Sequence, residues 1–330
     1  MKTNSPHAWV LASRPKTLTG AAAPVLIGGC MAFADSFNSF NSLNSLNSLN
    51  SFNSLNSLLP PFLLCLLFAF LMQIDANFIN DYFDFRKGTD REDRLGPERA
   101  CAQGWITPKA MKIGIAITTV LSIIVGLFML FLNLQWELII VRILCVVFCF
   151  LYTTCMSYLG LGDVLVLVFF GIVPVTFTYY LMTNGSWTLP LIVASIAMGL
   201  ATDNLLMVNN YRDRYQDEIS GKQTIIVRII RSQIKSRGPI EGKRIGETLC
   251  RKIYLWLGIT AFTFAVVALL MIPASNVANR IILCSLYLIP HVRTYKEMSA
   301  LDGRDLNKVL GATARNIFIF GLLVALSMFL

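Results

Sequence analysis

Nine runs of apolar residues, roughly 17–35, 59–79, 112–132, 137–157, 162–182, 188–208, 253–273, 277–290 and 311–330, constrain this chain more than any other feature. A helix needs about 20 such residues to cross ~30 Å of hydrocarbon. Inside that layer each backbone N–H and C=O must be paired within the chain, which leaves helices as the simplest solution. The expected fold class is all-α: a polytopic membrane helical bundle of about nine transmembrane helices, with residues 1–330 as one integral-membrane domain. Composition agrees, since 14% of residues are charged against about 25% in a soluble protein. A disordered chain and a secreted disulfide scaffold are excluded. The eighth run is short, and Arg142 and Arg315 interrupt the fourth and ninth. A cation at mid-bilayer costs about 2.5–3.5 kcal/mol on insertion scales.

The net charge of +9, from 28 Lys and Arg against 19 Asp and Glu, fits nucleic acid, a membrane surface or a phosphorylated substrate. Position decides between them. Three cations lie before residue 17, seven in 84–112, eleven in 209–252 and four in 291–310. Nine alternating helices put all four segments on one side. The opposite loops, near 36–58, 133–136, 183–187 and 274–276, carry none. The positive-inside rule then places the N-terminus and the basic loops in the cytoplasm and the C-terminus outside. The expected location is the cell inner (cytoplasmic) membrane, and no nucleic acid is needed to explain the charge. Arg14 and Lys16 before an apolar run ending Ala32-Phe33-Ala34 imitate a cleaved leader. Pro24, the Gly28-Gly29 pair and the charge alternation favour an uncleaved first helix.

Several features carry little functional information. Residues 38–58 are seven Asn-Ser-Leu or Asn-Ser-Phe triplets. A period of three matches neither strand nor helix, so this stretch is expected to be a low-complexity outer loop over 36–58. Most of the eight cysteines lie in apolar runs, where a thiol acts as a small hydrophobe. Cys145 and Cys149 share a helix face without making a metal site. Two histidines, His7 and His291, leave little room for a His-based zinc site.

The informative residues are two acidic clusters at the basic ends of the second and sixth helices. The first holds Asp75, Asn77, Asn80, Asp81, Tyr82, Asp84, Arg86, Lys87, Gly88 and Asp90. The second holds Asn209, Asn210, Arg212, Asp213, Tyr215, Asp217, Gly221 and Lys222. Asn77 and Asp81, and Asn209, Asp213 and Asp217, are spaced to share a helix face. Asn77 to Asn209 and Asp81 to Asp213 are both 132 residues, as in pseudo-repeated halves. Carboxylates and amides are hard oxygen ligands suited to Mg²⁺, which shares its shell with substrate phosphates. Neighbouring Arg86, Lys87, Arg212 and Lys222 suit the outer oxygens of a phosphate group. Asp75, Asp203 and Asp163 are candidate cavity groups. A secondary transporter also has repeated halves and intramembrane acids, but near the midplane.

These clusters resemble the two Asp-rich motifs of the UbiA superfamily of intramembrane aromatic prenyltransferases. They read Asn80-Asp81-Tyr82-Phe83-Asp84 and Asp213-Arg214-Tyr215-Gln216-Asp217. Further strings are Arg14-Pro15-Lys16-Thr17-Leu18, Asp93-Arg94-Leu95-Gly96-Pro97-Glu98-Arg99-Ala100 and Tyr158-Leu159-Gly160-Leu161-Gly162-Asp163. They are most similar to the branch acting on 1,4-dihydroxy-2-naphthoate in menaquinone synthesis. The resemblance implies a UbiA-type bundle that binds polyprenyl diphosphate with Mg²⁺. It implies metal ligation and catalysis by Asp81, Asp84, Asp213 and Asp217, with Asn77 and Asn209 assisting. Arg86, Lys87, Arg212 and Lys222 would hold the diphosphate. It also implies that an electron-rich ring takes the prenyl group and loses CO₂, and Arg142 and Arg315 are candidates to meet that anionic acceptor. This chain departs from the family in its triplet run, in a basic insert over 230–244, in Asp163 where Glu is expected, and in Asp90 as the later acid of the first motif.

Overall fold

The computed structural model describes the backbone of residues 2–42, 48–88, 94–132, 136–151, 160–185, 187–273 and 276–330, and side chains within these except 38–55 and 131–137. All regular structure among them is helical. A short α1 (Pro6–Ser13) leads into α2 (Pro15–Ser42), α3 (Ser48–Lys87), α4 (Pro108–Leu132) and α5 (Trp136–Leu151). Then come α6 (Gly162–Thr183, with a π turn at Val168–Ile172), α7 (Leu189–Arg212) and the short α8 (Arg214–Ile219). The chain continues as α9 (Ile225–Arg237), α10 (Pro239–Met271), α11 (Val277–Ser285), α12 (Leu288–Ala300) and α13 (Leu306–Ser327). Pro6, Pro190 and Pro239 sit in the first turns of their helices, where the missing N–H costs nothing.

Seven helices among the described residues are long and apolar enough to cross a bilayer. The expected span at 137–157 appears as the shorter α5, and residues 152–157 lie outside the described set. The expected span at 277–290 differs more. Tyr287 interrupts it, and α11 and α12 follow one another as helices of 9 and 13 residues. Arg280 on α11 donates to the carbonyls of Ile272 (3.1 Å) and Met328 (3.2 Å), so α11 begins where α10 and α13 end. Arg251 donates to the carbonyl of Ser299 at 3.3 Å, so α12 finishes near the opposite end of the bundle.

The triplet repeat is not wholly a loop. Helix α2 runs to Ser42 and α3 starts at Ser48, so helical backbone enters the repeat from both sides. Extending an existing helix fixes one residue per hydrogen bond, a far smaller cost than nucleation, and the repeat holds no Gly or Pro to stop it. Residues 43–47 lie outside the described set. The basic stretch 230–244 is also structured. It forms the end of α9 and the start of α10, with Gly238 at φ 83° supplying the left-handed joint.

Helix α7 is the axis of the bundle and packs against α2, α6, α10 and α13. Its closest crossing is with α6. A Cβ added to Gly171 would stand 2.5 Å from Gly199 Cα, and one on Gly199 would stand 2.7 Å from a Leu167 methyl. Lipid tails are as apolar as leucine, so membrane helices gain stability from such close backbone approach. The four basic segments do converge at one end. Asn4 N–H donates to Trp105 O (2.8 Å), Asn307 to Leu95 O (2.7 Å) and Arg214 to Asp302 (2.9 Å).

Gly199→Val should lower stability by about 1–3 kcal/mol through overpacking. Gly311→Ala, where an added Cβ meets nothing within 4 Å, should not destabilise the protein. Thermal midpoints in detergent measure both, and equal midpoints would discount the α6–α7 crossing.

Candidate functional site

A cavity of about 400 Å³ lies among α2, α3, α5, α6 and α7. Its wall is largely apolar, with Phe68, Met72, Phe148, Phe169 and Phe177. Cys145 and Cys149 both line it, consistent with their shared helix face. Arg14, Asn80 and Asn209 line its basic end, and Arg142 lines it deeper, beside Gly126 of α4.

The first acidic cluster ends α3. Asp81 is 1% exposed, and its oxygens accept the backbone N–H groups of Ala100 (2.8 Å) and Cys101 (2.9 Å). Asp84 pairs with Arg99 at 2.8 Å. Asn77 is buried and donates to Ser13 O (2.9 Å) and Thr17 Oγ1 (3.0 Å), which ties α3 to the α1–α2 junction. Arg86 and Lys87 stand exposed in the last turn of α3 and do not line the cavity. Asp90 lies outside the described residues.

The second cluster straddles a break. Helix α7 stops at Arg212, Asp213 caps it, and α8 carries Asp217. The bonds from Asp213 N–H to Asn209 O (3.0 Å) and from Asp217 N–H to Asp213 O (2.8 Å) pass through the junction. The three residues therefore keep the common face expected from their spacing. Arg212, 1% exposed, donates to both Asp213 oxygens (2.7 and 2.6 Å), to Asn209 Oδ1 (2.7 Å) and to Asn307 Oδ1 (2.9 Å). Asp217 pairs with Lys222 at 3.3 Å. Burial raises the Asp217 carboxyl above its ordinary pKa; Lys222 opposes this and Asp213 adds to it.

One loop joins the two clusters. Residues 94–101 are held by Asp81 at one end, while Gly96 packs on Arg212, 2.8 Å from where its Cβ would stand. Asn307 completes the link through Leu95 O. The loop also brings Arg99 and Arg94 against Arg14. Burial, then Arg99, pull the Arg14 pKa down to about 9, so it remains charged at neutral pH. Three mutually repelling cations beside an apolar cavity suit a multiply charged anion. The sequence argument placed Arg14 and Arg99 in matching strings but not among the site residues, because only the folded loop sets them beside Asp81 and Asp84.

The donor types fit Mg²⁺: carboxylate and amide oxygens, with no soft or imidazole ligand among them. Among the described residues no three His, Cys, Asp or Glu groups already form a metal cluster. The acids are balanced instead by Arg99, Arg212, Lys222 and backbone N–H groups.

The deeper acids divide. Asp75 is fully buried against α4, accepting from Thr118 (2.5 Å) and Thr119 (2.8 Å), and does not line the cavity. Asp163 and Asp203 also lie outside the cavity wall. Arg142 does reach the cavity, and its Nη1 is buried with no hydrogen-bond partner among the described residues. Arg315, the other candidate, is exposed and does not line it.

Arg214 anchors the second cluster. It is 2% exposed and bonds Glu247 (3.1 Å), Asp302 (2.9 Å) and Tyr211 O (2.7 Å). Its guanidinium lies between the rings of Tyr211 (4.3 Å) and Tyr215 (4.4 Å). Arg214→Met should cost about 3 kcal/mol by removing the buried cation that Glu247 and Asp302 share. Lys308→Gln, which breaks an exposed pair with Asp305, should cost less than about 1 kcal/mol. Thermal unfolding in detergent separates the two.

Residues 48–299 match the model of the UbiA prenyltransferase family. A 1,4-dihydroxy-2-naphthoate octaprenyltransferase from Haemophilus influenzae is 35% identical over 67% of this chain and 68% of its own length. One from Mycobacterium leprae is 29% identical over 96% of this chain and 94% of its own. The solved structure of a UbiA homologue from Archaeoglobus fulgidus, bound to DMAPP and Mg²⁺, superposes with a TM-score of 0.56. It is 13% identical, covering 96% of this chain and 98% of that one, and so speaks for the fold. The sequence match across most of the helices, and the all-helical bundle that carries it, place this chain in the UbiA prenyltransferase family.

Proposed function

We propose that this protein transfers a polyprenyl group from polyprenyl diphosphate to 1,4-dihydroxy-2-naphthoate, with loss of CO₂ and diphosphate, to give demethylmenaquinol, the hydroquinone form of demethylmenaquinone. The observation carrying this reading is the pair of Asp-rich clusters, interleaved with arginines, at the basic end of an apolar cavity. The naphthoate acceptor is supported by the names of the relatives at 29–35% identity.

A diphosphate carries several negative charges and its prenyl tail carries none. Arg14, Arg99, Arg212 and Lys222 would receive the diphosphate, with Arg86 and Lys87 reaching outer oxygens from the end of α3. Asp81, Asp84, Asp213 and Asp217, with Asn77 and Asn209, would hold Mg²⁺, which when bound would add positive charge beside the leaving diphosphate. As the carbon–oxygen bond breaks, fixed cations stabilise charge growing on the departing oxygens. The apolar wall accepts the tail and keeps water from the allylic carbon. Arg142 offers a buried cation to an anionic acceptor inside the cavity. The concentration of Lys and Arg at this end supports a cytoplasmic face for the site, in the cell inner membrane, with the C-terminus opposite.

The test is membranes with Mg²⁺, radiolabelled polyprenyl diphosphate and a panel of aromatic acids. Product with dihydroxynaphthoate, with one CO₂ released per transfer, is expected. Product with another acid but none with dihydroxynaphthoate would overturn the acceptor. Asp213→Asn and Asp217→Asn should each slow transfer by about 10²-fold or more. Asp305→Asn, on an exposed pair, should leave the rate unchanged. Unchanged rates in all three would sink the site assignment.

A further inference from the structure

A second concavity, of about 740 Å³, lies between α9 and α10 and shares no lining residue with the cavity above. Arg228, Ser232 and Gln233 line it from α9, Lys252 and Trp256 from α10, and Leu200 from α7. No acidic residue lines it. Lys252 is exposed, and Trp256 is 61% exposed, a large apolar surface with no protein cover.

Its level in the bilayer follows from helix length. Helix α10 has 33 residues, about 50 Å at 1.5 Å per residue, against about 30 Å of hydrocarbon. Its first turns therefore stand outside the membrane, where Gly242 and Gly246 pack on Gln233 and Ile230 of α9. Lys252 lies about 20 Å along the helix, where it enters hydrocarbon. Trp256, one turn deeper, sits where tryptophan favours the boundary between headgroups and tails. Helix α9 has the matching pattern. Ile226, Val227 and Ile230 are buried, while Arg228, Arg231, Lys235 and Arg237 are exposed.

We propose that this groove binds one anionic glycerophospholipid from the leaflet on the side of the Asp clusters. The phosphate lies between Arg228 and Lys252. Ser232 and Gln233 meet the polar headgroup, and one acyl chain runs over Trp256 toward Leu200. Charge complementarity selects this occupant: cations and neutral hydrogen-bonding groups at the rim, an apolar wall below, and no acid within. A zwitterionic lipid of equal chain length fits the wall but brings its own cation to the rim. The site is independent of which acceptor the enzyme uses.

Native mass spectrometry of the purified full chain, with phosphatidylglycerol or phosphatidylcholine of identical chains, tests this. The wild type should retain one phosphatidylglycerol at least about five-fold more than phosphatidylcholine. Lys252→Gln should lose that preference, and Trp256→Ala should lower retention of the anionic lipid. Lys296→Gln, at another exposed lysine, should change neither. Equal retention of the two lipids by the wild type, or full preference in Lys252→Gln, would overturn the proposal. So would displacement of the lipid by farnesyl diphosphate, which would make the groove a substrate site.

Discussion

An unpaired backbone group in hydrocarbon costs several kcal/mol, and this chain is organised around avoiding that cost. It answers with helices, and where a helix ends inside protein, a side chain takes over. Arg280 supplies donors to the terminal carbonyls of two helices at one end of the bundle. Asp81 supplies acceptors to two backbone N–H groups at the other. The same constraint drives close helix contacts through Gly171 and Gly199, since apolar area alone does not hold helices together in lipid.

Charges excluded from the interior collect at one end, and there they form a machine of opposites. Each acid of the two motifs faces a cation or backbone N–H, and each buried arginine faces an acid or an amide. Such compensation keeps the carboxylates tolerable beside hydrocarbon. The loop 94–101 is central to this balance. It is held by the first motif and rests on Arg212 of the second, so the two motifs are mechanically joined although 132 residues separate them. The halves are related in sequence spacing but not identical in use. Asp81 accepts from backbone groups, whereas Asp213 meets an arginine side chain.

Much of this was legible in the residues. Spacing put Asn209, Asp213 and Asp217 on one face, and they keep it through a helix break that spacing alone did not reveal. Periodicity put Cys145 and Cys149 together, and both reach the cavity. Periodicity misled at the triplet repeat, because a helix already formed extends through residues that would not start one. Asp75 and Arg315 were candidate cavity groups in sequence. Two threonines on α4 claim the first, and the second faces outward.

The sequence by itself determined the class, most of the spans and the end at which charge collects, because hydropathy and charge act locally and each residue reports its own solvent. It also named the acids. Only tertiary structure decided which of those acids share a site and with which cations. Arg14 is distant in sequence from Asp84 and Arg99, and Asn307 bonds both Arg212 and Leu95, so three parts of the chain meet there. Such pairings depend on how loops close over the bundle end, and no local pattern of residues encodes that closure.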